Sequence, residues 1–255
     1  MTRLQNFKYW TPEFSRLYLG QEFCERLLPE VETLSSALKF VREKNLDFTL
    51  VTPPVTEKGL KKLIKLLEFL RQEGGKRYEI IINDWGVFSY LKEENYQNPL
   101  VLGRLLVKQK RGPRIMNLKG KIPETAMDHF KRAAVDSPLM TRFLRENGIR
   151  RIELDNLLFG MKREADSLPA SLYYPYAYIT LTRLCLFAHF GKRHLRGIVP
   201  CQKECEKFQV KLTHPSMPVP LIMAGNAQFY EKKELPPDLS GLGIDRLVYE
   251  PEVPV

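Results

Sequence analysis

Asp47-Phe48-Thr49-Leu50-Val51-Thr52-Pro53-Pro54-Val55-Thr56 is the stretch on which the fold turns. Asp47 to Val51 has the β-branched and aromatic content of a strand, and Pro53-Pro54 cannot continue a hydrogen-bonded ladder. Thr56 is then placed to cap a long amphipathic helix through Gln72, with Leu60, Leu63, Ile64, Leu67 and Leu70 on one face. Gly74-Gly75 closes that helix, and Tyr78 to Ile82 follows as a continuous apolar run. A run without polar alternation is what a strand covered on both faces requires, as in a parallel sheet. Strand, helix and strand of these lengths predict a right-handed crossover.

The same rhythm extends outward. Upstream, Arg16-Leu17-Tyr18-Leu19-Gly20 reads as a strand stopped by glycine, with Cys24 just beyond, and Val31 to Lys44 has helical spacing through Leu34, Leu38 and Val41. Downstream, Asp84 in Asn83-Asp84-Trp85-Gly86 is suited to cap a short helix, and Pro99 to Leu102 is a fourth strand ending at Gly103. Met140 to Glu146 is a helix with a Gly148 stop, and Arg150 to Leu154 is a fifth strand. Strands six to eight are placed near Ala170–Tyr176, Phe208–Leu212 and Pro220–Met223, with a last strand-like piece at Arg246 to Tyr249. The fold class predicted is α/β: residues 1–255 form a single (β/α) TIM-like barrel domain, whether complete, incomplete or distorted. In such a barrel, sites form at the C-terminal ends of strands, which is where Cys24 falls.

Leu105 to Ser137 breaks the rhythm. It holds Lys108-Gln109-Lys110-Arg111-Gly112-Pro113-Arg114, then Lys119 and Lys121, and reads as an insertion or a mobile basic loop over 105–137. It is either a solvated loop or the chain's best single candidate for an anion-binding surface. The formal net charge of +10 favours anionic partners without choosing among them, and other cations are spread over Lys61, Lys62, Lys65 and Lys192 to Arg196. No stretch reaches the roughly 20 apolar residues of a membrane span, and Met1 to Trp10 has no apolar leader region, so a cytoplasmic location is expected. Neither Gly-x-Gly-x-x-Gly nor the Gly-x-x-x-x-Gly-Lys-Ser/Thr loop is present. Gly-x-Ser-x-Gly and His-Glu-x-x-His are also missing, which removes the usual signatures of a nucleotide-binding site and of a serine or zinc peptidase.

The chain has four cysteines, Cys24, Cys185, Cys201 and Cys205. In a reducing compartment a cysteine is by default a small buried hydrophobe with a free thiol. Three within one region and a fourth from a distant strand end, however, form an economical all-cysteine site. Structural zinc sites favour Cys-x-x-Cys knuckles, which are missing here. A cubane cluster accepts wider spacing, so the pattern favours iron–sulfur and leaves zinc as the alternative cofactor. Ile179, Leu181, Leu184, Leu186 and Phe187 would form an apolar wall beside Cys185. Arg183, Lys192, Arg193, His194 and Arg196 would offset the negative charge of a thiolate-ligated cluster, or simply face solvent. His189, His194 and His214 lie near enough in sequence to replace one ligand, but a lone histidine is more often a satisfied structural residue.

Tyr18-Leu19-Gly20-x-x-x-Cys24, Asn83-Asp84-Trp85-Gly86-Val87 and Arg183-Leu184-Cys185 followed by Cys201-x-x-x-Cys205 together resemble the collagenase-like (PrtC-type) peptidase family. The closest branch is that of the ubiquinone-biosynthesis protein UbiV. Weaker echoes are Phe143-Leu144-x-x-x-Gly148, Leu172–Ile179 and Ile244-Asp245-Arg246-Leu247-Val248; Leu105 to Ser137 is not covered. The resemblance implies a barrel-like fold and a [4Fe–4S] cluster on Cys24, Cys185, Cys201 and Cys205. It also implies a part in oxygen-independent hydroxylation of a small aromatic or quinone-precursor substrate, in a heterodimer with a UbiU-like partner. Other relatives hydroxylate RNA bases, so an RNA-binding or RNA base-hydroxylating protein is the alternative function, with a peptidase second. Peptidase-type members carry Glu-x-Phe-x-x-Gly-Ser/Ala-x-Cys, whereas this chain has Ala177 to Cys185 with neither the acid nor the glycine. Protease activity is therefore not expected, and no catalytic residue is singled out.

Overall fold

The structure, a computed structural model, describes residues 9–74, 77–191 and 200–254. The chain divides into two compact units between Leu106 and Val107. In the first unit, β1 (Arg16–Gly20), β2 (Asp47–Val51), β3 (Glu79–Ile82) and β4 (Leu100–Leu102) lie side by side in chain order, all parallel. Helices α1 (Val31–Glu43), α2 (Glu57–Gln72) and α3 (Trp85–Glu93) make the crossovers. These are the elements expected from the Asp47 stretch. Thr56 caps α2 by accepting from the Gly59 N–H at 3.3 Å, and Asp84 caps α3 by accepting from the Gly86 N–H at 2.6 Å. Leu63, Leu66, Leu67 and Leu70 of α2 are buried, at about 2 kcal/mol of transfer energy each. Phe48, Thr49, Leu50 and Val51 of β2 are all buried, as a strand covered on both faces requires.

Two glycines fix the C-terminal ends of these strands. Gly20 has φ +137°, and a Cβ there would stand 2.0 Å from the Val51 carbonyl oxygen, so the chain leaves β1 pressed against the end of β2. Gly103 lies so close to Asn83 that a Cβ would fall 2.1 Å from its Oδ1. Asn83 in turn donates to the Thr52 carbonyl at 3.0 Å and accepts from the Leu105 N–H at 3.1 Å, tying three strand ends together.

The second unit contains two sheets. β5 (Ile149–Asp155), β6 (Ala170–Tyr174) and β11 (Ile244–Tyr249) are parallel, in the order β5-β6-β11. The remaining strands depart from the alternating pattern. β7 (Tyr176–Leu181), β8 (Val210–Leu212), β9 (Leu221–Ala224) and β10 (Ala227–Glu231) form an antiparallel sheet in the order β7-β10-β9-β8. The strands expected near Phe208–Leu212 and Pro220–Met223 thus exist but do not continue a parallel series. Gly225-Asn226, with Gly225 at φ +57°, joins β9 and β10 as a tight hairpin, which only antiparallel neighbours allow.

The segment Leu105 to Ser137 is mostly helical. It continues α4 (Arg104–Val107), forms 3-10 turns at Pro113–Leu118 and Ala134–Asp136, and includes α5 (Glu124–Lys131) before α6 (Pro138–Glu146). Met127 packs with Leu157 and Phe159, and Ile115, Met116, Leu118 and Phe130 close around them. No helix of the described residues is long and apolar enough to cross a membrane.

Candidate functional site

Cys24 stands four residues after Gly20, at the start of a 3-10 turn over Glu25–Leu27, and its carbonyl accepts from the Leu27 N–H at 3.1 Å. The turn is fastened from both sides. The Glu25 carboxylate accepts from the Thr56 N–H at 2.5 Å and from the Thr56 hydroxyl at 2.9 Å, an anion seated at the start of α2. On the other side, buried Glu22 forms an ion pair with Arg104, whose side chain is wholly buried and whose guanidinium lies 5.5 Å from the centre of the Phe23 ring.

The other three cysteines belong to the second unit. Cys185 follows β7, and its carbonyl is within 3.1 Å of His189 Nδ1. Cys201 and Cys205 flank the start of a 3-10 turn over Glu204–Glu206. Lys203 adopts a left-handed conformation, φ 58°, that turns its N–H toward Cys201 Sγ at 3.4 Å. The Cys185 and Cys201–Cys205 segments pack together through aromatic rings: Phe208 stacks on Phe187 at 4.9 Å between centroids and touches Phe190 at 4.7 Å.

All four cysteines are half-buried, so none is sealed in a core, and none is paired in a disulfide. As a donor set they fit a thiolate-bound cluster by chemistry. Among the described residues no three His, Cys, Asp or Glu side chains stand close enough to hold one metal ion. His189 is buried and hydrogen-bonded, and His214 is exposed with Nδ1 2.8 Å from the Ser216 hydroxyl. The expected apolar wall is only partly present: Phe187 is buried, while Leu184 and Leu186 point outward, 59% and 53% exposed. Lys192, Arg193, His194 and Arg196 lie outside the described residues.

The structure also assembles polar groups that no motif announced. Asp155, at the end of β5 and fully buried, accepts from Arg111 Nε at 2.5 Å and from the Tyr178 N–H at 2.9 Å. Gln109 pairs with both backbone groups of Asp155, accepting from its N–H at 2.8 Å and donating to its carbonyl at 3.2 Å, as a strand neighbour would. The Arg111 guanidinium lies 4.9 Å from the centre of the Tyr178 ring. The run Lys108 to Arg111 therefore does not act as one surface. Gln109 and Arg111 are buried, and Lys108 and Lys110 are exposed.

Lys108 and Lys110 border a cleft of about 790 Å³ that also touches His129, Arg132, Ala133, Ala134, Pro138 and Arg142. Arg132 is ion-paired with Glu164, and Arg142 with Glu146 at 2.7 Å. Asp136, also on the lining, is held by Arg163 at 2.9 Å with both side chains buried. Comparison of the chain with protein-family models, with curated proteins and with solved structures gave no match.

Proposed function

We propose that the chain is an iron–sulfur protein that holds one [4Fe–4S] cluster on Cys24, Cys185, Cys201 and Cys205. It would work in oxygen-independent hydroxylation beside a UbiU-like partner, as the resemblance to the collagenase-like peptidase family implies. The observation that carries the proposal is that Cys185 and the Cys201–Cys205 pair occupy two turns locked together by Phe187, Phe190 and Phe208, with a backbone N–H directed at Cys201 Sγ. A structural thiol needs neither half-exposure nor an N–H donor, whereas a cluster ligand uses both. The parallel strands and their crossover helices are the parts from which an incomplete TIM-like barrel would be built, with Cys24 just beyond a strand's C-terminal end. The proposed location is the cytoplasm, where thiols stay reduced.

Bound there, a cluster would supply one-electron chemistry. The chain's own contribution would be rigid placement: Gly20 sets the exit of β1, Glu25 pins the Cys24 turn to α2, and Phe208 clamps the turns of the second unit. Four cysteine ligands leave no open iron position, which favours electron transfer and puts substrate contact on other side chains or on the partner.

The test is anaerobic purification followed by an absorption spectrum with iron, sulfide and zinc analysis. A brown protein with about four irons and four sulfides per chain supports the assignment. A colourless protein with one zinc per chain would replace the cluster with a structural site.

A further inference from the structure

We propose that the cleft bordered by Lys108 and Lys110 binds a small phosphate ester, a ligand with a compact organic body and one phosphate group. Four features lead there. The first is the way the two lysines are presented. Gln109 and Arg111 are both buried and held by Asp155, while Lys108 and Lys110 between and beside them are exposed. Lys108 has φ 59°, an uncommon backbone conformation for a residue with a Cβ, maintained by the anchored neighbours.

The second feature is charge. Two of the three lining arginines have carboxylate partners, Glu164 for Arg132 and Glu146 for Arg142, the third, Arg145, donates to the Asp166 carbonyl, and Asp136 is neutralised by Arg163. Lys108 and Lys110 are exposed and have no ion-pair partner among the described residues, so both have capacity to spare for an incoming anion. The one lining carboxylate without an ion pair among the described residues is Asp166, whose carbonyl accepts from Arg145 at 2.6 Å. Ammonium groups act as compact point charges and suit a phosphate with several equivalent oxygens.

The third feature is the character of the floor. Ala133, Ala134 and Pro138 give it an apolar patch that a bare inorganic ion would leave uncovered. The fourth is size: about 790 Å³ is within the usual range for small-molecule sites, and too large for phosphate alone. His129, exposed on the lining, adds a donor that reaches a phosphate oxygen when the ring is oriented for it. None of these features involves a cysteine, so the cleft is independent of any cluster.

The test is calorimetric titration of the full chain with phenyl phosphate, with phenol, inorganic phosphate and a short oligoribonucleotide as the other arms. The expected result is saturable binding of phenyl phosphate, at least tenfold tighter than inorganic phosphate, and no binding of phenol. Lys108→Ala/Lys110→Ala should weaken phenyl phosphate at least tenfold, and Lys119→Ala/Lys121→Ala should leave it unchanged, with both variants melting like the parent. Lys110→Glu provides a second check in case the double variant misfolds, and should abolish binding. Equal binding of phosphate and phenyl phosphate, binding confined to the oligoribonucleotide, or indifference to the Lys108 and Lys110 changes would each overturn the proposal.

Discussion

Breaking the Glu22–Arg104 pair should be among the most damaging single changes available in the first unit. The Arg104 side chain is 0% exposed and that of Glu22 is 7% exposed, and Arg104 Nε lies 3.2 and 3.1 Å from the two carboxylate oxygens. Glu22→Leu strands a fully buried guanidinium without its carboxylate, which costs about 3–5 kcal/mol. With a urea dependence of about 1.5 kcal/mol per molar for a unit of this size, the midpoint should fall by about 2–3 M. The loss is a large share of the roughly 5–15 kcal/mol that holds a domain together. Arg104→Met alone should also destabilise, since it removes the ring contact with Phe23 and leaves the carboxylate buried. The double variant Glu22→Leu/Arg104→Met buries two apolar chains instead and should lie within about 2 kcal/mol of the parent. The chain's two tryptophans, Trp10 and Trp85, both belong to the first unit, so their fluorescence reports its unfolding selectively. Glu30→Gln, which breaks the 71%-exposed partner of Lys62, is the control and should cost under about 1 kcal/mol. A Glu22→Leu loss no larger than the Glu30→Gln loss would refute the reasoning.

Gly20→Ala should destabilise the first unit by about 2–4 kcal/mol and disturb the Cys24 turn, because φ +137° and a carbonyl 2.0 Å from the new Cβ both oppose it; an unchanged tryptophan melt would contradict this. Asp155→Asn keeps an acceptor for the Tyr178 N–H but removes the anion facing buried Arg111, and should cost about 2–4 kcal/mol with a changed near-ultraviolet tyrosine signal; a parent-like spectrum and melt would show that the charge is not needed. Hydrogen bonds from Lys162 and then Lys131 hold the Asp128 carboxyl at about 2, below its ordinary 3.8. A depressed carboxyl contributes stability that is present above its unfolded value and is lost as pH falls from about 4 toward 2. Carboxyl-detected NMR of Asp128 should show the low midpoint, and Lys162→Ala should raise it.

Much of the first unit was legible because its elements are specified locally. The caps at Thr56 and Asp84, the prolines after β2 and the unbroken apolar run of β3 each act over a few residues, and each appears where the sequence indicates. The second unit was harder to read for a definable reason. Its antiparallel sheet hinges on Gly225-Asn226, a two-residue hairpin signal lying between Met223 and Phe229, and β7 follows β6 after the single residue Pro175. Ala170 to Tyr176 reads as one apolar run, and only the pairing partners separate it into strands of two sheets. Of the candidate ligands, Cys201 and Cys205 were visible as a pair from their spacing. The packing of the Cys185 segment on theirs rests on Phe187, Phe190 and Phe208, residues that sequence spacing does not connect.

The basic run Lys108 to Arg111 shows why charge counted along a sequence says little about where charge is used. Arg111 and Lys110 are neighbours with the same formal charge, yet one is buried and the other is exposed. Guanidinium is weakly hydrated, planar and able to lie on a ring, so Arg111 can be desolvated against Tyr178 provided an anion meets it, and Asp155 does. An ammonium keeps its hydration more tightly, and Lys110 stays at the surface. Asp155 is a residue of an ordinary-looking strand end and Gln109 has no charge at all, so neither marks the run as anchored. Once they anchor it, the buried pair limits where the exposed pair can go, and two lysines that would otherwise sample solvent are held at the rim of one cleft. The net charge of +10 is thus compatible with a specific site only because part of it is neutralised inside the protein.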